Sequence, residues 1–331
     1  PFHLSDHSRP FMKIKLNGTK TLLGDRPVDL SDYRNSVQVY LKSLTDQMVF
    51  DAFRLRGMSF DKGFVSVSPT RKEMCFFNCF DRDYSEWSLQ MIPAKEKASR
   101  GVMLSLQLRN VRYVQRYKFL NQMRGVRLWT VSGKEVIFIL KSEDSSTLLI
   151  KALLTCVPDI GLIDRKLGEW IRKWKSGQMT NLGYLMRLNI LGSRSFLDFS
   201  QYPVFPVLLK SLGQPLKGDN LRDLGRPIGM CGLQSKALTF AQRFKLGNLI
   251  EEEESCFYGS HYSYPGTVFN FLIRTRPMVR GAKAIQGGKF DVPDRIFSSL
   301  DSFLKNVFSA GSDVREMTPE FFYLPYMYAN I

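Results

Sequence analysis

Histidine is almost missing from this 331-residue chain, which has only His3, His7 and His261. Acyl-transfer and general-base chemistry need a nucleophile, a base and an orienting group that meet in space. His3 and His7 fall in an irregular amino-terminal stretch. His261 stands beside Ser260, Tyr262 and Ser263, but sequence adjacency does not assemble such a site. The five cysteines are odd in number and scattered, so reduced thiols are expected. Cys75 and Cys79 form a C-x3-C pair with no second ligand pair at a zinc-like spacing, and they read as two strand residues on one face. There is no phosphate-binding loop, and Gly287 and Gly288 in QGGKFD read as a turn with Lys289 exposed. Asp291 and Asp294 are a weak acid-base pair, because Asp294 with Arg295 reads as an ion-paired helix start. No catalytic residue, cofactor or metal is expected.

Long hydrophobic runs are lacking too. The most tempting uncharged window, Ser255 to Ile273, contains Gly259, His261, Pro265 and Gly266, whereas a spanning helix needs about 20 mainly apolar residues. No charged-then-apolar leader opens the sequence. It starts at Pro1 without an initiator Met, so a fragment or processed form is expected, and an organellar location stays open. Acidic residues are the remaining shortage: 47 Lys and Arg against 31 Asp and Glu leave a formal charge of +16. Such an excess points to an anionic membrane, nucleic acid or an acidic protein surface as partner. Hydrophobic content of 44% with 24% charged residues is that of a folded chain, and the length suits two domains.

The alternation in Gly63 to Ser68, the PTRK turn and the apolar run Glu73 to Phe80 predict a β-hairpin. Strands are predicted at Val102 to Leu108 and Val111 to Phe119. A further hairpin pairs Val126 to Thr130 with Val136 to Leu140 across Ser132 and Gly133. SEDSSTLLIKALLTC then opens with capping residues and continues with helical spacing. Strands closed by one helix suggest a small sandwich or barrel of the pleckstrin-homology (PH) type. VPDIGLID, Val157 to Asp164, reads as a connector. Beyond it Leu167, Trp170 and Trp174 recur at helical spacing, where packing is the expected role. Glu251 to Glu254 reads as a solvated loop.

Three blocks then follow in close order: TNLGYLMRLN at Thr180 to Asn189, SQYPVFP at Ser200 to Pro206, and RDLGRPIG at Arg222 to Gly229. Together they resemble the BEACH-domain family. The matching residues are Trp174, Asn181, Tyr184, Leu185, Leu188, Asn189, Arg194 and Asp198, then Ser200, Gln201, Tyr202, Pro203, Val204, Phe205 and Pro206, then Arg222, Asp223, Leu224, Pro227, Ile228 and Gly229. Later blocks are FYGSHYS with His261, LIRTRP, QGGKFD, and DVREMTPEFFYLP at Asp313 to Pro325. The family usually has Trp where Val207 stands, an acidic-aromatic pair at Ser211 and Leu212, Gly at Ser193 and Trp at Phe303. Physically, two prolines in YPVFP hold the segment extended, and its backbone polar groups must find side-chain partners. Asn181, Asn189, Arg194, Asp198, Gln201, Arg222 and Asp223 are the candidates, with a ligand site at Arg222 and Asp223 as the other reading.

The resemblance implies an α+β chain. A PH-like β-sandwich or barrel with a C-terminal helix precedes a mainly α BEACH domain with irregular extended core segments. The expected boundaries are an amino-terminal arm over 1–55, the PH-like domain over 56–156, a linker and entry helix over 157–173, and a BEACH domain over 174–331 that lacks its C-terminal part. QRYKF at Gln115 to Phe119 resembles the basic-aromatic strand of the PH-like domains that precede BEACH domains. The implied function is a non-enzymatic scaffold of vesicle trafficking and membrane dynamics, cytoplasmic and peripheral to membranes, which binds a protein partner at the PH/BEACH interface. The basic belt runs through Lys95, Lys97, Arg100, Arg109, Arg112, Arg116, Lys118, Arg124, Arg127 and Lys134. From it Arg109, Arg112, Arg116 and Lys118, with Arg222 and Asp223, are the candidate partner contacts, and a weak anionic membrane contact stays open. The alternative is a basic structural subunit of a large assembly such as a ribonucleoprotein, with nucleic acid as partner.

Overall fold

The computed structural model describes residues 48–57, 59–78, 103–120, 122–247, 265–309 and 313–328. The chain divides into two compact units, the first ending at Lys166 and the second running on from Leu167. Most of the arm, Cys79, Lys95, Lys97, Arg100, the acidic run Glu251 to Glu254, Cys256 and the FYGSHYS block with His261 lie outside the described residues.

The first unit is built on one sheet of eight strands: β1 (Met48–Leu55), β2 (Phe60–Ser68), β3 (Glu73–Asn78), β4 (Met103–Gln107), β5 (Val111–Phe119), β6 (Gln122–Thr130), β7 (Glu135–Leu140) and β8 (Gly161–Leu162). Their order is β4-β3-β2-β1-β7-β6-β5-β8, antiparallel except for the last pair. The two sequence-predicted hairpins form in register, Val67 opposite Met74 and Leu128 opposite Val136, and the structure adds β5 alongside β6 with Val114 opposite Leu128. The turn between β6 and β7 uses Gly133 at φ +79°.

Two sequence boundaries shift. Met48–Leu55, assigned to the arm, forms β1 at the middle of the sheet, pairing with β2 from Met48 to Leu55 and with β7 at Ala52 to Arg54. Its consecutive Ala52 and Phe53 are both buried, so the strand is covered on both sides there and the period-two signal is erased. Within the supposed connector, Gly161–Leu162 adds β8 alongside Tyr113 and Val114, which carries the first unit on to Lys166.

Helix α1 (Glu143–Cys156) starts where the serine-rich run places it, with Ser142 Oγ accepting from the Ser145 N–H at 3.1 Å. Its Leu149, Ile150 and Leu153 join Val65, Phe76, Val114, Leu128 and Phe138 in one apolar core. Cys75 sits on β3 between Ser66 and Ser105, and burial beside Glu73 pushes its thiol up to about 11, which disfavours the reactive thiolate. No group of three or more candidate metal ligands exists among the described residues.

The second unit has helices α2 (Leu167–Lys175), α3 (Asn181–Leu191), α4 (Gln234–Gly247), α5 (Pro265–Phe271), α6 (Met278–Ile285) and α7 (Leu300–Ser309), joined by extended segments and short 3-10 turns. Its core is aromatic: Phe199 packs on Tyr202 and Phe269, and Phe271 meets Phe297, Phe303 and Phe321 at ring-centroid distances of 5.2–6.2 Å. No helix among the described residues is long and apolar enough to cross a membrane.

Leu120, in the two-residue connection between the Phe119–Gln122 pair, is exposed and held at φ +45°. A branched side chain there costs about 1 kcal/mol that Asn largely avoids. Leu120→Asn should therefore raise the urea midpoint by the equivalent of about 0.5–1 kcal/mol, and an unchanged or lower midpoint would contradict the left-handed assignment.

Candidate functional site

The prolines of YPVFP keep residues 202–207 extended, and the segment bonds to groups on two sides of it. On one side Asn189, carried by α3, faces Val204 as a second strand would: its Oδ1 accepts from Val204 N–H at 2.8 Å and its Nδ2 donates to Val204 C=O at 2.9 Å. Arg194 donates to the Tyr202 carbonyl at 2.9 Å. On the other side Phe205 and Met317 exchange backbone hydrogen bonds of 2.7 and 3.2 Å. Glu316 accepts from Val207 N–H at 2.6 Å, and the Tyr202 hydroxyl donates to Glu320 at 2.7 Å. Burial and the neighbouring Glu320 push the Tyr202 hydroxyl far above its ordinary value.

Asp198, fully buried, organises the turn ahead of this segment. Its Oδ1 accepts from Ser200 N–H at 2.9 Å and from Ser200 Oγ at 2.5 Å, while Oδ2 accepts from Gln201 Nε2 at 3.2 Å. Ser193, where the resemblance led to expect Gly, holds φ +53°, the conformation for which glycine is suited. Val207, in place of Trp, is buried in the core with Phe303. At the start of the unit Trp174 stacks on Tyr184 at 4.6 Å and donates to Asn181 Oδ1 at 2.8 Å, which ties α2 to α3.

Arg222 and Asp223, adjacent in sequence, part company in space. Arg222 pairs with Glu316 at 2.7 Å, with side-chain exposures of 5% and 15%, so this guanidinium is turned inward. Burial raises the Glu316 carboxyl, against the pull of Arg222 and the Val207 N–H. Asp223 is exposed, caps the Gly225 N–H at 2.9 Å and pairs with Arg226 at 3.3 Å. The sequence reading missed Glu316 and Glu320. Both lie in a block it did identify, but nothing local marks them as partners of residues 109 and 118 positions away.

In the first unit Arg109, Arg112 and Arg116 are exposed and Lys118 is half-buried. Arg112 and Arg116 lie on either side of buried Val114 along β5. Arg116 reaches Thr147 of α1 at 3.2 Å, and Arg112 lies over the Tyr113 ring. Arg127 is not part of the surface: it is 2% exposed, paired with Glu135 at 2.7 Å and stacked over Trp129 at 4.5 Å.

The second unit is thus a mainly helical domain whose motif side chains are committed to its own irregular backbone. Over residues 172–331 it matches the family model of the Beige/BEACH domain, and the chain belongs to the BEACH-domain family. It is 30% identical over 284 residues to WD repeat- and FYVE domain-containing protein 4 of Mus musculus, a match covering 80% of this chain and 9% of that protein. It is 37% identical over 180 residues to BEACH domain-containing protein B of Arabidopsis thaliana, covering 52% of this chain and 7% of that one. Beige protein homolog 1 of Saccharomyces cerevisiae is 40% identical over 170 residues, 49% of this chain and 8% of the homologue. The chain therefore spans less than a tenth of the length of these relatives. Among solved structures, the PH domain of human oxysterol binding protein-related protein 11 is similar at 8% identity and a TM-score of 0.24, covering 34% of this chain and 82% of that one.

Removing Asn189 takes the side-chain partner from both the N–H and the C=O of half-buried Val204, so Asn189→Ala should cost about 3 kcal/mol. Arg222→Leu strands the Glu316 carboxylate and should cost about 3–5 kcal/mol. Denaturant unfolding followed by tryptophan fluorescence checks both, and losses below about 1 kcal/mol would show that the segment is held by other means.

Proposed function

We propose that the chain is a non-enzymatic scaffold, a PH-like unit followed by a BEACH unit, which binds a protein partner in the service of vesicle trafficking and membrane dynamics. The observation that carries this reading is the BEACH match over residues 172–331. The PH-like assignment is supported by seven antiparallel strands in the order β4-β3-β2-β1-β7-β6-β5 with one helix after them. The engagement of Asn189, Asp198 and Arg222 within the fold favours architecture over chemistry for the motif residues. The proposed partner contacts on the PH-like unit are the exposed Arg109, Arg112 and Arg116 and the half-buried Lys118. Asp223 and its ion-paired neighbour Arg226 add exposed charge on the second unit, and Arg222 contributes by holding that turn. A cytoplasmic site of action, peripheral to membranes, goes with this reading.

A second reading is favoured by the charge of +16: a basic structural subunit of a large assembly such as a ribonucleoprotein. The two part on native particle size. A scaffold should sediment unchanged after nuclease treatment of a gentle lysate, whereas an RNA-built particle should collapse.

Charge reversal at the three exposed arginines, Arg109→Glu, Arg112→Glu and Arg116→Glu together, should abolish co-purification of the partner while the melting temperature stays within a few degrees. Undiminished capture by a folded triple variant would remove this surface from the proposal.

A further inference from the structure

The second unit carries a cationic face that the partner reading does not use. Helix α6 turns Gly281 and Ala282 inward, where Gly281 lies close under the Phe269 ring, so Arg280 and Lys283 project from its opposite, exposed side one turn apart. Arg276, just before the helix, and Lys289, just after it, are exposed as well. The chain leaves α6 through a tight turn: Gly287 and Gly288 stand at φ +63° and +92°, and Gly288 N–H donates to Lys283 C=O at 2.7 Å. That turn brings Phe290 back under the helix, where the Lys283 ammonium lies 4.5 Å from its ring centroid. Phe290 and Val292 are nonetheless 51% and 53% exposed. The carboxylate between them, Asp291, is turned inward and bonded to Asn270 at 2.9 Å, to the Val292 N–H at 2.8 Å and to Arg295 at 3.4 Å.

We propose that this face, Arg276, Arg280, Lys283 and Lys289 with Phe290 and Val292 at its tip, docks on an anionic lipid bilayer. The cations supply attraction to lipid phosphates and carboxylates, and the two apolar side chains enter the headgroup layer. The apolar pair decides the class of partner. A nucleic acid would be met by the cations and one stackable ring, and it offers nothing to an exposed valine beside an aromatic already covered by a lysine. Withdrawal of the Asp291 charge removes the repulsion that a carboxylate between two inserting residues would create. The inference is independent of the protein-binding reading, since it needs no partner and involves none of the first unit's arginines.

The test is flotation of the purified chain with phosphatidylcholine vesicles, with and without phosphatidylserine, at several salt concentrations. Binding should require phosphatidylserine and weaken with salt. Arg280→Glu with Lys283→Glu should lower it at least roughly tenfold, and Phe290→Ser with Val292→Ser should lower it by a similar factor. Each of these side chains is exposed, and melting curves will show whether the variants remain folded. A fourth protein, Phe290→Trp, reports insertion directly: its emission should shift to the blue on adding anionic vesicles. No preference for phosphatidylserine, equal binding by the Phe290/Val292 variant, or an unshifted Trp spectrum would each overturn the proposal. So would charge-reversal variants that lose binding to a single-stranded RNA when the parent chain ignores vesicles.

Discussion

An extended segment buried in a helical domain creates one requirement that orders the rest of the second unit: its peptide groups need partners, and among the described residues the single Phe205–Met317 bridge is all the strand pairing it has. Proline at 203 and 206 removes two donors outright. Asn189 then substitutes a side-chain amide for a strand, presenting one donor and one acceptor to the same residue, Val204. An amide carries both groups side by side, whereas an ionised carboxylate lacks the donor and an ammonium the acceptor. The opposite flank is closed by Met317 backbone and Glu316 side chain, and Glu316 in turn needs Arg222 for its other oxygen. The buried ion pair is thereby explained as the end of a chain of obligations that begins with a backbone N–H.

The basic residues sort by the same logic into two populations. Arg127, Arg194, Arg222 and Arg274 are held by protein acceptors or rings: Arg274 donates to the Met327 and Ser298 carbonyls at 2.6 Å each and lies over Phe297. These belong to the architecture, and their planar forks suit several acceptors at once. The other population, Arg109, Arg112 and Arg116 on the first unit and Arg276, Arg280, Lys283 and Lys289 on the second, faces solvent and carries positive charge at the surface. Net charge alone does not separate the two.

The hairpins and α1 were legible because turn chemistry and periodicity are local: PTRK, the Ser132–Gly133 turn and the Ser142 cap each act over a few residues. Strand β1 was not, because burial of both Ala52 and Phe53 erases the alternation on which a strand is recognised. In the second unit the blocks identified the family and the need for polar partners, and Asn189, Arg194 and Asp198 were named from that need. The pairing itself was illegible, since nothing near Tyr202 or Val207 in the sequence points to Glu320 or Glu316. Arg222 and Asp223 show the converse limit: adjacency in sequence suggested a shared site, and a turn in the backbone gives one to the interior and the other to water.

The long reach of these contacts has a consequence for biosynthesis. Val207 and Glu316 are 109 residues apart, so a ribosome adding about 5–20 residues per second takes roughly 5–20 s to deliver the second after the first. During that interval the proline-stiffened segment has Asn189 and Arg194 available but not its second flank. The nascent second unit must therefore wait with half of its central clamp open. Any factor that shields apolar nascent chain has its window there, before the EMTPE segment emerges to close the fold.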